Sequence, residues 1–127
     1  MNNNIDIEKV KETYIKAINM STKPNFERPN IGDIIDENQT VVWNRNEVDN
    51  IRHKWENKRN ELIEAKHRLI TNCENDIVKY IADSCNMSES KAKLMFDFAY
   101  ANKHEYIEDM FSYIEELIDL FINIREA

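Results

Sequence analysis

Residues 46–85 read NEVDNIRHKWENKRNELIEAKHRLITNCENDIVKYIADSC, a run of forty residues without glycine or proline. Its apolar positions recur at alternating spacings of three and four, which is typical of a long helix with a heptad seam. Lys58 interrupts the seam, and its register shifts after Leu69. We therefore predict either one helix over 46–85 or two helices with a kink near Thr71. The seam consists of Val48, Ile51, Trp55, Leu62, Ala65 and Leu69.

Two further helices are predicted downstream of this run. The sequence Asn86-Met87-Ser88 breaks the pattern, because asparagine tolerates a left-handed turn and serine caps helix N-termini. A helix is predicted over 88–102 and a last one over 104–126. The last helix has one broad apolar face and a second apolar flank, so more than one neighbour is needed to cover it.

Upstream, an amphipathic helix is predicted within 1–22, where Ile7, Val10, Tyr14 and Ile18 are spaced three and four apart. We predict an irregular connection over residues 23–45, since both prolines and the single glycine fall there. A small β-hairpin at 34–43 is an alternative reading within that connection.

Length and glycine content limit the fold class. The chain has 127 residues, which suits one helical domain over 1–127. One glycine and two prolines are too few for the turns of β-sandwiches and for the glycine-rich loops of nucleotide-binding folds. We predict an all-α protein, either a helical bundle or a long-helix hairpin with one irregular connection near the N-terminus.

Cysteine usage and hydropathy favour the cytoplasm. Cys73 and Cys85 lie twelve positions apart in a predicted helix, roughly 18 Å at about 1.5 Å per residue, too far for an intrachain disulfide. The sequence shows no signal peptide and no apolar run of membrane-spanning length. We therefore expect a soluble protein of a reducing cytosol that makes no membrane contact.

Charge and aromatic residues mark candidate interaction sites. The net charge is −7, and residues 105–127 contain seven carboxylates and one arginine. This acidic helix is either a solvated surface or a docking surface for a basic protein. Trp43 and Trp55 are candidate aromatic anchors, with a place in the core as the alternative. The acidic candidates are Glu108, Asp109, Glu115, Glu116 and Asp119.

An alternative function is a helix-turn-helix DNA-binding regulator that uses residues 77–96. In that reading Ser90, Lys91 and Lys93 contact DNA from the second helix. DNA affinity depends largely on phosphate neutralisation, and a chain of net charge −7 with no further basic stripe is poorly suited to it. The other alternative is an ordinary helix-helix corner.

The sequence shows no catalytic or cofactor constellation. Glu64 and His67 have the Glu-x-x-His spacing of di-iron bundles, but such a site needs a second pair and two more glutamates. No glycine-flanked nucleophile or cysteine-protease signature occurs. We therefore predict no enzymatic activity, no cofactor and no metal.

Two stretches carry a resemblance to a known group of proteins. They are Val41 to Val48, and Ser88 to Leu120 with its core sequence FAYANKH at 98–104. On these residues the chain resembles small helical accessory proteins of phages and prophages of low-GC Gram-positive bacteria. The resemblance implies a non-enzymatic protein that binds a host protein to inhibit or regulate it, for example in a defence system. We also expect self-association through the last helix or the seam of the long helix.

Overall fold

The computed structural model describes residues 5–28 and 45–126. These residues form four helices and no strand: α1 (Ile7–Asn19), α2 (Arg45–Cys85), α3 (Glu89–Lys103) and α4 (Ile107–Glu126). Helix accounts for 84% of them, which confirms the predicted all-α helical bundle. The alternative β-hairpin at 34–43 lies outside the described residues.

Helix α2 is continuous over 41 residues. No glycine or proline interrupts its backbone hydrogen bonds, so the register shift after Leu69 changes the apolar face without ending the helix. Of the two alternatives left open by the sequence, the structure has the single helix without a break at Thr71.

The corner between α2 and α3 is built by residues 86–88. Asn86 adopts a positive φ of 51°, and the Met87 N–H donates to the Ala82 carbonyl at 3.0 Å, which together form a Schellman motif. Ser88 Oγ then accepts the Lys91 N–H at 3.3 Å and caps α3. The chain therefore turns sharply at the predicted break, and α3 begins at Glu89.

A short turn at 104–106 joins α3 to α4. The His104 N–H donates to the Tyr100 carbonyl at 3.0 Å, which completes the last turn of α3. The Tyr106 N–H then donates to the Lys103 carbonyl at 3.3 Å. Because these bonds belong to the end of α3, α4 begins at Ile107 and not at the predicted position 104.

The chain divides into two compact units, and the prediction of a single domain stays a prediction. The first unit, called the core unit below, contains residues 1–19 and 68–127. Its described part comprises α1, the C-terminal part of α2, α3 and α4. Apolar side chains from these helices fill the centre of the core unit. They include Tyr14, Ile77, Ile81, Met110 and Ile114, each at most 1% exposed.

The second unit contains residues 20–67, of which 20–28 and 45–67 are described. Residues 20–28 contact α2 through two side-chain interactions. Lys66 Nζ donates to the Met20 carbonyl at 3.1 Å, and Arg28 forms an ion pair with Glu56 at 3.0 Å. Val48 is buried in this unit, at 1% exposure.

Across the described residues, no helix combines the length and apolarity needed to cross a membrane.

Candidate interaction surface

The face of α3 and α4 that points away from the core has large apolar side chains in solvent. On α3, Leu94 is 69% exposed and Phe98 is 53% exposed. These two residues are four positions apart and so lie on one side of the helix. Buried Ala92, Phe96 and Ala99 occupy the opposite side of α3. Helix α3 is therefore apolar on two sides, and only one side is covered.

Helix α4 continues this surface. Tyr113, Leu117, Leu120 and Ile124 are spaced four, three and four apart, so they form a stripe along the helix. Leu120 is 56% exposed and Ile124 is 68% exposed. Tyr113 and Leu117 are partly buried against the core. The stripe thus begins at the edge of the core and ends in solvent.

The two helices share one surface because their aromatic rings meet. Phe98 stacks on Tyr113 with ring centroids 6.0 Å apart and an interplanar angle of 29°. Lys103 Nζ lies 5.8 Å from the centre of the Tyr113 ring. We call this surface the α3/α4 apolar face. It comprises Leu94, Phe98, Tyr113, Leu117, Leu120 and Ile124.

Carboxylates edge the α3/α4 apolar face along α4. Asp109 and Glu116 are seven residues apart, and Asp119 lies three residues after Glu116. All three therefore fall on the solvent side of the apolar stripe of α4. All three are exposed. Among the predicted acidic sites these three border the apolar face, while Glu108 lies in the first turn of α4. Negative charge in that first turn also stabilises the helix through its dipole.

Glu115 has a different environment from the other predicted acidic residues. It is half-buried, and its Oε1 accepts a hydrogen bond from the Tyr80 hydroxyl at 2.8 Å. Burial, together with this hydrogen bond to Glu115, raises the pKa of Tyr80 to about 12. The pair therefore joins α4 to α2 inside the core unit.

The two tryptophans predicted as anchors lie elsewhere. Trp43 is outside the described residues. Trp55 is half-buried on α2, and the Arg28 guanidinium carbon lies 5.9 Å from the centre of its ring. Its Nε1 is buried, and within residues 5–28 and 45–126 it has no hydrogen-bond partner. Trp55 thus belongs to the 20–67 unit and is partly covered by that unit's own residues.

The residues proposed to contact DNA lie near the start of α3. Ser90, Lys91 and Lys93 are all exposed. Lys93 Nζ lies 3.4 Å from Asp97 Oδ1, an i,i+4 ion pair that offsets part of its charge. The hydrophobic Leu94 follows directly, so this end of α3 presents few cations and a large apolar side chain.

Glu64 and His67 are both exposed on α2. Within the described part of the chain, no three His, Cys, Asp or Glu side chains converge as metal ligands would. Cys73 and Cys85 are buried free thiols, and burial raises the pKa of each. A buried, protonated thiol is a poor nucleophile. The absence of metal and of catalysis stays a prediction.

Comparison with known proteins found no matching family model, no matching curated protein and no matching solved structure. Sequence reasoning identified the acidic residues and a second apolar flank on α4, but it missed the exposed apolar side of α3. Leu94 and Phe98 are four residues apart, as are buried Ala92 and Phe96, so spacing alone does not separate the exposed side of α3 from the covered side.

Proposed function

We propose that the chain is a non-enzymatic protein–protein interaction module that binds a host protein through the α3/α4 apolar face. The observation that supports this most is that Leu94, Phe98, Leu120 and Ile124 are each more than half exposed on two helices whose aromatic rings meet. Contiguous exposed apolar patches are uncommon on proteins that act alone, and they mark sites of association. Aromatic side chains such as Phe98 and Tyr113 are frequent anchors at such sites.

The charge at the edge of the face specifies the partner we propose. Seven of the eight ionisable acidic and basic residues in 105–127 are acidic, for a net charge of −6. A second copy would bring the same carboxylates against each other, whereas a helix with an apolar stripe and flanking lysines or arginines would complement them. We propose the latter as the partner. The self-association predicted from the sequence competes for the same face.

The biological setting we propose follows the sequence resemblance to phage accessory proteins. In that setting the protein acts in the cytosol of a bacterial host and inhibits or regulates the host protein it binds, for example a component of a defence system. A second proposal, supported by the exposed Ser90, Lys91 and Lys93 on the helix after the corner, is DNA binding through residues 77–96. Gel shift at low salt tests it, because phosphate contacts are strongest there.

Affinity capture with matched variants tests the main proposal. Leu94→Ser with Leu120→Ser changes the α3/α4 apolar face, while Ile63→Ser with Leu69→Ser changes two apolar residues of α2 that are 40% and 41% exposed. We expect a host protein that the unmodified chain and the α2 variant recover in equal amount and the face variant loses by at least tenfold. Circular dichroism confirms that both variants fold.

Two outcomes contradict the proposal. Equal recovery of every host protein by both variants removes the α3/α4 apolar face as a binding site. Sedimentation of the unmodified chain as a dimer, with the face variant as a monomer, assigns the face to a second copy instead of a basic partner helix.

A further inference from the structure

A cleft of about 650 Å³ opens in the core unit, on residues that the α3/α4 apolar face does not use. Its walls come from α1, from α2 near Ile70 and Glu74, and from the end of α3 through the first turn of α4. A volume of this order suits a small ligand or a side chain of a partner. The 104–106 turn forms one rim, so the geometry of the α3–α4 connection determines the shape of the cleft.

The cleft is negatively charged. Glu74, Glu105, Glu108 and Asp109 line it, and no lysine or arginine does. In the described part of the chain, Glu105, Glu108 and Asp109 take part in no ion pair. Lys103, the cation next to them in sequence, is directed at the Tyr113 ring instead, 5.8 Å from its centre. The charge of these carboxylates therefore faces the cleft without an internal counter-ion.

The cleft is also aromatic. Tyr100 and His104 stack with ring centroids 4.9 Å apart and an interplanar angle of 18°, which makes a flat wall. Tyr106, at the rim, is 69% exposed. At the base, the buried Tyr14 hydroxyl donates to Glu74 Oε2 at 3.0 Å, which fixes the position of that carboxylate. Aromatic faces attract cations, and the attraction increases when carboxylates stand beside them.

Apolar residues complete the lining. Ile15, Ile18, Ile70 and Ile107 lie in the walls between the aromatic and acidic groups. These side chains suit a chain of methylene groups, which lysine and arginine use to bury their stems while the charged end stays near polar partners. An anion is disfavoured, because Glu108 and Asp109 already occupy the first turn of α4, where the helix dipole would attract one.

We propose that this cleft binds the side chain of an arginine or lysine from a protein partner, with the cationic group between the carboxylates and the Tyr100, His104 and Tyr106 rings. Arginine fits better than lysine because its planar guanidinium both stacks on rings and forms paired hydrogen bonds with a carboxylate. This proposal goes beyond the α3/α4 apolar face, because none of the six residues of that face lines the cleft; Asp109 lines the cleft and also borders the face.

Titration of the ¹⁵N-labelled chain with a blocked Leu-Arg-Leu tripeptide tests the proposal. We expect saturable amide shifts in residues 104–109, and at least tenfold weaker binding of the matched peptide with neutral citrulline in place of arginine. Added salt should weaken the binding of the arginine peptide, because the carboxylates are near solvent and their charge is screened. Equal binding of the two peptides, or no shift in 104–109, overturns the proposal.

Two pairs of variants make the test specific. Glu108→Gln with Asp109→Asn removes two carboxylates of the cleft, and we expect at least tenfold weaker binding of the arginine peptide. Glu12→Gln with Asp83→Asn removes the same charge from exposed positions of the core unit outside both surfaces and should leave binding within twofold. An equal loss in both pairs overturns the proposal, since it indicates general attraction to an acidic protein. Tighter binding of free spermidine than of the peptide overturns the assignment to a protein side chain.

Discussion

The two halves of α2 have similar helical spacing of apolar residues but different burial. In the C-terminal half, Cys73, Ile77, Ile81, Ala82 and Cys85 are all buried, with Ile77 and Ile81 at 0% exposure. In the described N-terminal half only Val48 is buried, and Ile63 is 40% exposed. Spacing alone therefore establishes the helix, whereas burial depends on how many neighbours cover its apolar side. The C-terminal half has three helices as neighbours in its unit, which explains the difference.

The largest expected effect comes from a cavity in the buried half. Replacing Ile81 with Ala removes a side chain that is 0% exposed, and we expect a loss of about 2 to 5 kcal/mol in the free energy of unfolding. Urea unfolding followed by far-UV circular dichroism measures it. The matched change, Ile63→Ala in the other half, should cost about 1 kcal/mol or less, because much of its surface already lies in solvent.

The aromatic residues allow the two units to be followed separately in that experiment. Both tryptophans fall within 20–67, and all five tyrosines fall outside it. Excitation at 295 nm therefore reports on the 20–67 unit, and near-ultraviolet tyrosine signals report on the core unit. If Ile81→Ala and Ile63→Ala destabilise the chain equally, the contrast between the two halves of α2 is wrong.

Alkaline pH should act on the core unit. Burial raises the pKa of Tyr14, Cys73, Tyr80 and Cys85, and that of Tyr80 reaches about 12. A raised pKa in the folded chain means that stability is complete below the unfolded value and is lost as pH rises toward the folded value. We expect unfolding free energy to fall from about pH 9 upward, by at most about 1.4 kcal/mol per pH unit for each group involved.

Urea midpoints at pH 8, 10, 11 and 12 measure this slope. Tyr80→Phe removes one titrating group, so the decline between pH 10 and 12 should be shallower in that variant than in the unmodified chain. An unchanged slope in Tyr80→Phe would contradict the assignment of a raised pKa to the buried Tyr80 hydroxyl.

A smaller loss is expected from the hydrogen bond that joins α1 to α2. Tyr14→Phe removes the hydroxyl that donates to Glu74 but keeps the buried ring. That ring packs edge-on against Phe111, with ring centroids 6.1 Å apart. We expect a loss of about 1 kcal/mol in unfolding free energy, since the carboxylate of Glu74 loses one partner but retains access to water. Thermal unfolding at neutral pH measures it. Thr13→Val, which removes an exposed hydroxyl bonded to the Lys9 carbonyl, is the control and should change stability less.

The sequence predicted the helices well because their signals are local. Asn86 and Ser88 marked the corner through their own backbone preferences, and the structure places the turn and the cap there. The α3 part of the exposed face was missed because α3 is apolar on several sides, so spacing does not distinguish Leu94 from buried Ala92. Glu115 was assigned to binding because its partner, Tyr80, is 35 residues away in sequence. The cleft was unpredictable for the same reason, since Tyr14, Glu74 and Tyr106 come together only in the folded chain.

The smallest expected effect tests the corner that ends the buried half of α2. Asn86 has a φ of 51°, a region in which a Cβ atom is unfavourable and glycine is not. Asn86→Gly should therefore keep the Met87–Ala82 hydrogen bond and change unfolding free energy by less than about 1 kcal/mol, while Asn86→Val should cost more because a β-branched residue resists a positive φ. Chemical unfolding of both variants measures the difference. Equal stability of the glycine and valine variants would mean that the left-handed turn at Asn86 contributes little to the free energy of unfolding. The stability of the buried half of α2 would then come from the helices packed around it, and not from the turn that ends it.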